Sequence, residues 1–506
     1  MNEKRQVILV MTDTTRFDML GCYGNPGMKT PSLDTLCSEG IRFDRAYTTQ
    51  PVCGPARSAI FTGMFPHLNG AFANHLPLWS GVKTLGQRLT AEGIHCAYIG
   101  KWHLDGTDYF GNGKCPDGWD ARYWYDMRRY LEELTPEERT ASRRGETCLR
   151  EGFNADQTFG HRCTQRALDF LEKHGEEDFL LVVSYDEPHD PCLCPAPYNT
   201  MYKGYTFPDC PNIRDTLEGK PEYQRLWARD RTRMDRGAIT VENALYFGCN
   251  SFADHEIGRV LGKAGTVAPD AMVIYTSDHG TSLQNHCLNS KGALVYEEVA
   301  KIPLIIKPGR AAAAAGEAYK MPVSHLDLAP TIMERMGVKI PAAFHGKSLA
   351  PMFTDVSRRI NDCVFVEFTR FENTHDSFGG MQLMRAAIND RHKLSINLLD
   401  TDELYDNEND PYEMKNRIND PECGDVRREL HEKILACMNR TLDPLRGYQW
   451  LRRPWRKDVT SVSFDNEEYI RLQENEEGEP RPISYDTGLE MVAAVRKDLT
   501  MANDVV

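Results

Sequence analysis

From Val7 to Met11 the chain is apolar at every position, and the run stops abruptly at Thr12-Asp13. A continuous apolar run of this length reads as a strand covered on both faces, which is characteristic of parallel strands flanked by helices. The pattern returns at Phe179–Ser184, followed by Tyr185-Asp186-Glu187-Pro188-His189, and at Ala271–Thr276, closed by Ser277-Asp278-His279-Gly280. Strands of this kind place the chain in the α/β class. Open α/β sheets bind their ligands at the carboxyl ends of the strands, so Asp13, Asp278 and His279 are candidates for one site. Two carboxylates and an imidazole suit a divalent cation.

Between these strands lies Pro51-Val52-Cys53-Gly54-Pro55-Ala56-Arg57-Ser58-Ala59, read on to Phe61-Thr62-Gly63. Proline suits the first turn of a helix, where no amide donor is missed. Cys53 is therefore expected beside the positive end of a helix, where an anion can be held. Taken alone, a buried cysteine next to an arginine is ordinary packing. The longer pattern, Cys-x-Pro-x-Arg with a short apolar run and Thr-Gly, resembles the signature of type I sulfatases of the alkaline phosphatase superfamily, whose cysteine is oxidised to formylglycine. Gly100-Lys101-Trp102-His103, Pro188-His189, Lys291 ahead of Tyr296-Glu297-Glu298, and the acids at the two strand ends resemble further stretches of that family, in its order, from Gln6 to about Pro421. Lys101 and His103 are expected on one strand, facing the same way. Thr14 departs from the Asp or Gln that many members carry beside the first ligand.

The resemblance implies a large, mixed, mostly parallel sheet flanked by helices, with a smaller antiparallel sheet towards the carboxyl end. It implies a formylglycine hydrate made from Cys53, and a divalent metal held by Asp13, Cys53, Asp278 and His279. Calcium is the expected ion; His279 leaves room for magnesium or manganese. One hydroxyl of the hydrate attacks sulfur, and loss of the other proton re-forms the aldehyde and expels sulfate. Arg57 would hold the hydrate, Lys101 and Lys291 would bind sulfate oxygens, His103 would accept the proton and His189 would donate to the departing oxygen. Asn74, in Ala73-Asn74-His75, is a weaker pocket candidate, and a structural role outweighs it. The implied substrate is a small aryl or carbohydrate sulfate. Hydrolysis of a phosphonate monoester or phosphodiester in the same superfamily is the alternative, and a non-catalytic binding protein is a third reading. Either a formylglycine-generating enzyme or an anaerobic sulfatase-maturating enzyme is the required partner.

Composition bounds the remaining classes. With 60 basic and 74 acidic side chains the net charge is −14, which argues against a general nucleic-acid or anionic-membrane binder. No apolar stretch is long enough for a membrane span, and Val7–Met11 is too short for a secretory core, so the expected location is cytoplasmic. The 15 scattered cysteines fit reduced thiols. The expected organisation is a catalytic α/β domain over 1–355, a subdomain with a small antiparallel sheet and closing helix over 356–440, and an extension over 441–506 that could pack on a neighbouring subunit or on the pocket rim, or simply wrap the molecule. Asp105–Phe153, rich in aromatic and charged residues, reads as an insertion over the active site. A long helix is expected over Ala238–Leu261, and a surface linker over Ala311–Gly316.

Overall fold

The computed structural model describes residues 4–228, 243–309, 314–372 and 380–456. Its strands are β1 (Gln6–Thr12), β2 (Ile41–Phe43), β3 (Ala46–Tyr47), β4 (His95–Gly100), β5 (Phe179–Ser184), β6 (Met272–Ser277), β7 (Lys301–Ile302), β8 (Leu304–Lys307), β9 (Ala318–Tyr319), β10 (Val323–Ser324), β11 (Val364–Arg370), β12 (Met381–Ile388), β13 (His392–Asn397) and β14 (Glu403–Asp406). The large sheet runs β4-β5-β1-β6-β8-β2-β9. Its first four strands are parallel, and β8 is antiparallel to both β6 and β2.

The apolar run of β1 explains the layering. Val7, Leu9 and Met11 enter one core, together with Ile60 and Phe61 of the Cys53–Thr62 helix and Ile332 of the Leu328–Arg335 helix. Ile8 and Val10 enter the core on the other face, with Phe170 of the Phe159–His174 helix and Ile257 of the Ala244–Val267 helix. Both faces are buried, so alternation carries no polar signal along these strands. The long helix starts at Ala244; the expected residues ahead of it, up to 242, lie outside the described residues, as do 311–313 of the expected linker.

The antiparallel sheet β11-β12-β13-β14 uses its two faces differently. Val366, Met384 and Ala386 pack against Tyr47 and Val52 of the larger part of the molecule, while Leu394 and Ile396 lie under Leu430 and Ile434 of the Gly424–Arg440 helix. The described start of the C-terminal extension packs on this same sheet. Trp450 is buried, and Arg453 and the Trp455 indole both bond Asp402. Residues beyond 456, on which the expected subunit contact rested, lie outside the described residues. No described helix is long and apolar enough to cross a membrane.

One backbone feature sets the approach to the site. Gly100 ends β4 at φ 124°, and a Cβ there would stand 1.9 Å from the Ser184 carbonyl oxygen of β5. Gly100→Ala is expected to cost about 1–3 kcal/mol in backbone strain alone, with the clash adding to it. Urea unfolding that shows the variant as stable as wild type would contradict this.

Candidate active site

Strand register brings the acids together. Met11 pairs with Thr276 and with Ser184, and Gly100 also pairs with Ser184, so the ends of β4, β5, β1 and β6 lie at one level. Asp13, Asp278 with His279, Lys101 and Asp186 leave the sheet side by side from that edge. The Cys53–Thr62 helix begins at Cys53 itself, with Val52 as its extended N-cap. It is buried throughout and delivers Cys53 and Arg57 over the strand ends.

Cys53 Sγ lies 2.9 Å from Lys291 Nζ, 3.2 Å from His279 Nε2 and 3.7 Å from Asp13 Oδ1. Burial and Asp13 push the thiol up, but Lys291, Lys101 and His279 outweigh them and hold it well below its ordinary value. Residue 53 thus sits in a place built for an anion. His279 Nδ1 is 2.8 Å from the Gly280 carbonyl, so it carries a proton, and Nε2 faces the cluster.

The donor set fits a cation. One ligand atom each from Asp13, Cys53, Asp278 and His279 lies within 4.8 Å of the others, and all four residues are buried. His279 Nε2 is 3.6 Å from Asp278 Oδ1 and 4.0 Å from Asp13 Oδ1. Burial favours the protonated form of both acids, yet Lys101, Lys291, His189 and Arg57 hold Asp13 well below the usual carboxylate range. Asp278 goes the other way, to about 6, through burial and the neighbouring Asp13 charge. Two carboxylates whose ionisations oppose one another mark a place where extra positive charge is accommodated.

Arg57 is fully buried and places its donors on this framework. Nε bonds Asp278 Oδ2 and Nη2 bonds Asp13 Oδ2, each at 3.0 Å, while Nη1 bonds the Lys101 carbonyl and Ser184 Oγ, each at 2.7 Å. Lys101 Nζ lies 2.7 Å from Asp13 Oδ2 and 3.1 Å from Asp186 Oδ1. The expectation that Lys101 and His103 alternate along one strand is corrected: β4 stops at Gly100, and His103 reaches the site from a loop at φ 61°. His103 is nonetheless buried, with the Cys53 side chain beside it. Burial, with Lys101 nearby, lowers its pKa from 6.5.

His189 lies at the half-buried rim, its ring 5.0 Å from that of Tyr109. Asn74 Oδ1 accepts from the Gly54 amide at 2.9 Å, which makes it a clamp on the start of the helix that carries Cys53. Thr14, at φ 68°, donates its hydroxyl to Asp13 Oδ1 at 2.6 Å and its amide to Asp278 Oδ1 at 3.1 Å. It orients both acids without adding a carboxylate of its own.

Sequence reasoning passed over two neighbours. Asp186, which bonds Lys101, follows β5 as Asp13 follows β1, so the strand-end rule applied to Asp13 was available for it as well. Tyr109 donates its hydroxyl to Asp186, and its ring lies 3.8 Å from Lys101 Nζ. It comes from the aromatic insertion, and nothing in the sequence distinguishes it there from Phe110 beside it.

The sulfatase family profile matches residues 5–338. The chain belongs to the sulfatase family. A second profile, the C-terminal part of N-sulphoglucosamine sulphohydrolase, matches residues 285–440. The chain is 41% identical over 491 residues to the uncharacterized sulfatase YidJ of Escherichia coli strain K12, covering 95% of this chain and 96% of that protein. Its fold is similar to that of BT4656, solved with its substrate D-glucosamine-2-N,6-O-disulfate, at a TM-score of 0.71 and 22% identity over 87% of this chain and 99% of that one. A phosphonate monoester hydrolase of Agrobacterium radiobacter is similar to the same degree, at a TM-score of 0.71 and 22% identity over 86% of this chain and 96% of that one. The family fits a large, mostly parallel sheet with a separate small antiparallel sheet towards the carboxyl end.

Proposed function

We propose that this sulfatase-family enzyme hydrolyses small sulfate monoesters, aryl or carbohydrate, with a formylglycine hydrate made from Cys53 as nucleophile. The observation that carries the reading is the setting of Cys53 Sγ: a buried helix start with Lys291 Nζ at 2.9 Å and His279 Nε2 at 3.2 Å. Asp13, Asp278 and His279, with the group on residue 53, would hold a divalent ion, calcium by expectation and magnesium or manganese by donor chemistry. When bound, such an ion polarises sulfate oxygens and lowers the pKa of the attacking hydroxyl.

The chain's own groups divide the remaining work. Lys101 and Lys291 balance charge on the sulfate oxygens. Arg57 fixes Asp13 and Asp278, and so acts as a positioning residue. Asn74 and Thr14 position the helix start and the two acids. His103 takes the proton from the hydrate oxygen whose release re-forms the aldehyde, a role supported by its burial beside residue 53. His189, at the rim, donates a proton to the leaving oxygen. Maturation requires a formylglycine-generating or anaerobic sulfatase-maturating enzyme. A reducing, cytoplasmic setting is part of this reading, in line with 15 scattered cysteines. The start of β11 at Val364 supports a catalytic domain over 1–355, with the small-sheet unit over 356–440 and the extension over 441–506.

Burial holds His103 below 6.5, so it is a neutral base at pH 7 and its loss of activity on protonation falls on the acid side of 6.5. His103→Ala is expected to lower kcat by about 10²–10⁴-fold and to erase that acid limb. A pH–rate profile with the limb intact in the variant would assign the base elsewhere. The equal structural likeness to a phosphonate monoester hydrolase supports a second reading, phosphonate monoester or phosphodiester hydrolysis. Side-by-side turnover of p-nitrophenyl sulfate, a phenyl phosphonate monoester and bis(p-nitrophenyl) phosphate tests both. Protein with Cys53 conversion confirmed by mass spectrometry should prefer the sulfate, and a preference for either phosphorus ester would replace the first reading with the second.

A further inference from the structure

We propose a second metal site, for a divalent transition ion such as zinc, formed by His286, Glu298 and Glu413. Each offers one ligand atom, these atoms lie within 4.8 Å of one another, and all three residues are buried. They come from segments far apart in sequence: the loop after β6, the Glu297–Ala300 helix, and the turn beyond β14. Glu298 belongs to Tyr296-Glu297-Glu298, which the catalytic reading leaves unused.

The imidazole is prepared as a ligand. His286 Nδ1 is 2.6 Å from Asp215 Oδ2 and 3.2 Å from Lys220 Nζ; the shorter carboxylate contact favours a proton on Nδ1 and the lone pair on Nε2, as in carboxylate–histidine–zinc sites. Nε2 lies 3.8 Å from Glu298 Oε2. That is too long for a hydrogen bond, and near the roughly 3.3–3.5 Å between two ligands of one tetrahedral ion with bonds of about 2.0–2.2 Å. Glu298 is 7% exposed, and its Oε2 has no hydrogen-bond partner among the described residues. A buried carboxylate oxygen left this way is costly, and it points at the lone pair of an oriented imidazole.

Two ammonium groups border the site, and Lys220 Nζ is also 3.2 Å from His286 Nδ1. Lys220 Nζ contacts Asp215 Oδ2 at 2.5 Å and the Glu413 carbonyl at 2.6 Å, and Lys393 Nζ lies between Glu297 at 2.8 Å and Glu413 at 2.7 Å. Lys301 reaches Glu297 alone, at 3.7 Å. Glu298 Oε1 has the Asn212 amide at 2.6 Å, and the same amide nitrogen is 3.1 Å from His286 Nε2. An ion at this place displaces that amide from Nε2 and gives Glu298 Oε2 a partner. One imidazole with carboxylates favours zinc or manganese over calcium. The ion would brace the loop after β6, which carries Lys291, against the small-sheet unit.

Metal content of the full-length protein tests this, stripped with chelator, reloaded with zinc and dialysed. In an Asp278→Asn background, which weakens the Asp13–Cys53–Asp278–His279 cluster, adding Glu298→Gln should lower the zinc content by one ion per chain. Crystals of zinc-loaded wild type should give an anomalous peak about 2.0–2.2 Å from His286 Nε2. Zinc content unaffected by Glu298→Gln, or zinc-loaded crystals without that peak, overturns the proposal. The wild-type map decides alone if the variant fails to fold, and neither readout depends on sulfate ester turnover.

Discussion

Replacing Cys53 by alanine is expected to lower sulfate ester turnover by about 10⁵–10⁶-fold, the scale seen when an enzyme loses its nucleophile. The fold should persist. Cys53 is 1% exposed at the first position of its helix, and alanine keeps the helical backbone while removing one buried sulfur. Large-to-small changes of that size cost about 1 kcal/mol. Lys291 would lose the partner at 2.9 Å but keep Asp13 Oδ1 at 3.8 Å and Thr14 Oγ1 at 3.5 Å. Unmodified Cys53 offers a finer comparison. The surrounding cations favour its thiolate, so a thiol mechanism would leave unconverted protein active. Protein produced without a maturation enzyme, and shown by mass spectrometry to retain the thiol, should be as inactive as the alanine variant. Activity at the converted level in that sample would discard the formylglycine reading.

Much of this was legible because the strongest signals came from backbone rules. The runs ending at Asp13 and Asp278 needed only the association of continuous apolar segments with buried parallel strands, and the register of β1 with β6 brings their ends together. Pro55 correctly announced a helix opening at Cys53. The small sheet was visible as hairpin spacing from Val364 to Asp406. What stayed hidden was decided by side-chain direction. Lys101 and His103 were expected to alternate along one strand, but a glycine at positive φ ends β4 before either of them. Arg57 reads from sequence as a partner of the group on Cys53, but one helical turn along it faces down onto the strand ends and bonds the two aspartates. Tyr109 enters from an insertion whose path depends on packing against distant residues, and composition alone carries no information about that.

Arg57→Ala should be the most destabilising single change at the site, costing about 3–5 kcal/mol, because it leaves buried carboxylates without their partner. Asp13 and Asp278 lose bonds of 3.0 Å each, and the Lys101 carbonyl and Ser184 hydroxyl lose theirs of 2.7 Å. Lysine should recover only part of this, since one ammonium cannot reproduce the planar fork that meets four acceptors. The loss should depend on pH in a definite direction. Asp278 is already raised from 3.8 to about 6, so it stabilises the fold relative to the ionised state below 3.8 and that contribution is lost as pH rises through 6. Removing the guanidinium raises Asp13 and Asp278 further and extends the penalty to higher pH. The variant should therefore fall further behind wild type at pH 8 than at pH 5, by urea unfolding in chelator. A divalent cation replaces part of the missing charge and stabilises by about 2.7 kcal/mol at a hundred times its Kd. Saturating calcium should accordingly narrow the gap at pH 8. If the gap were the same at both pH values and indifferent to calcium, Arg57 would be holding the helix in place by packing, and the reading of Asp13 and Asp278 as a charge-balanced cation site would lose its support.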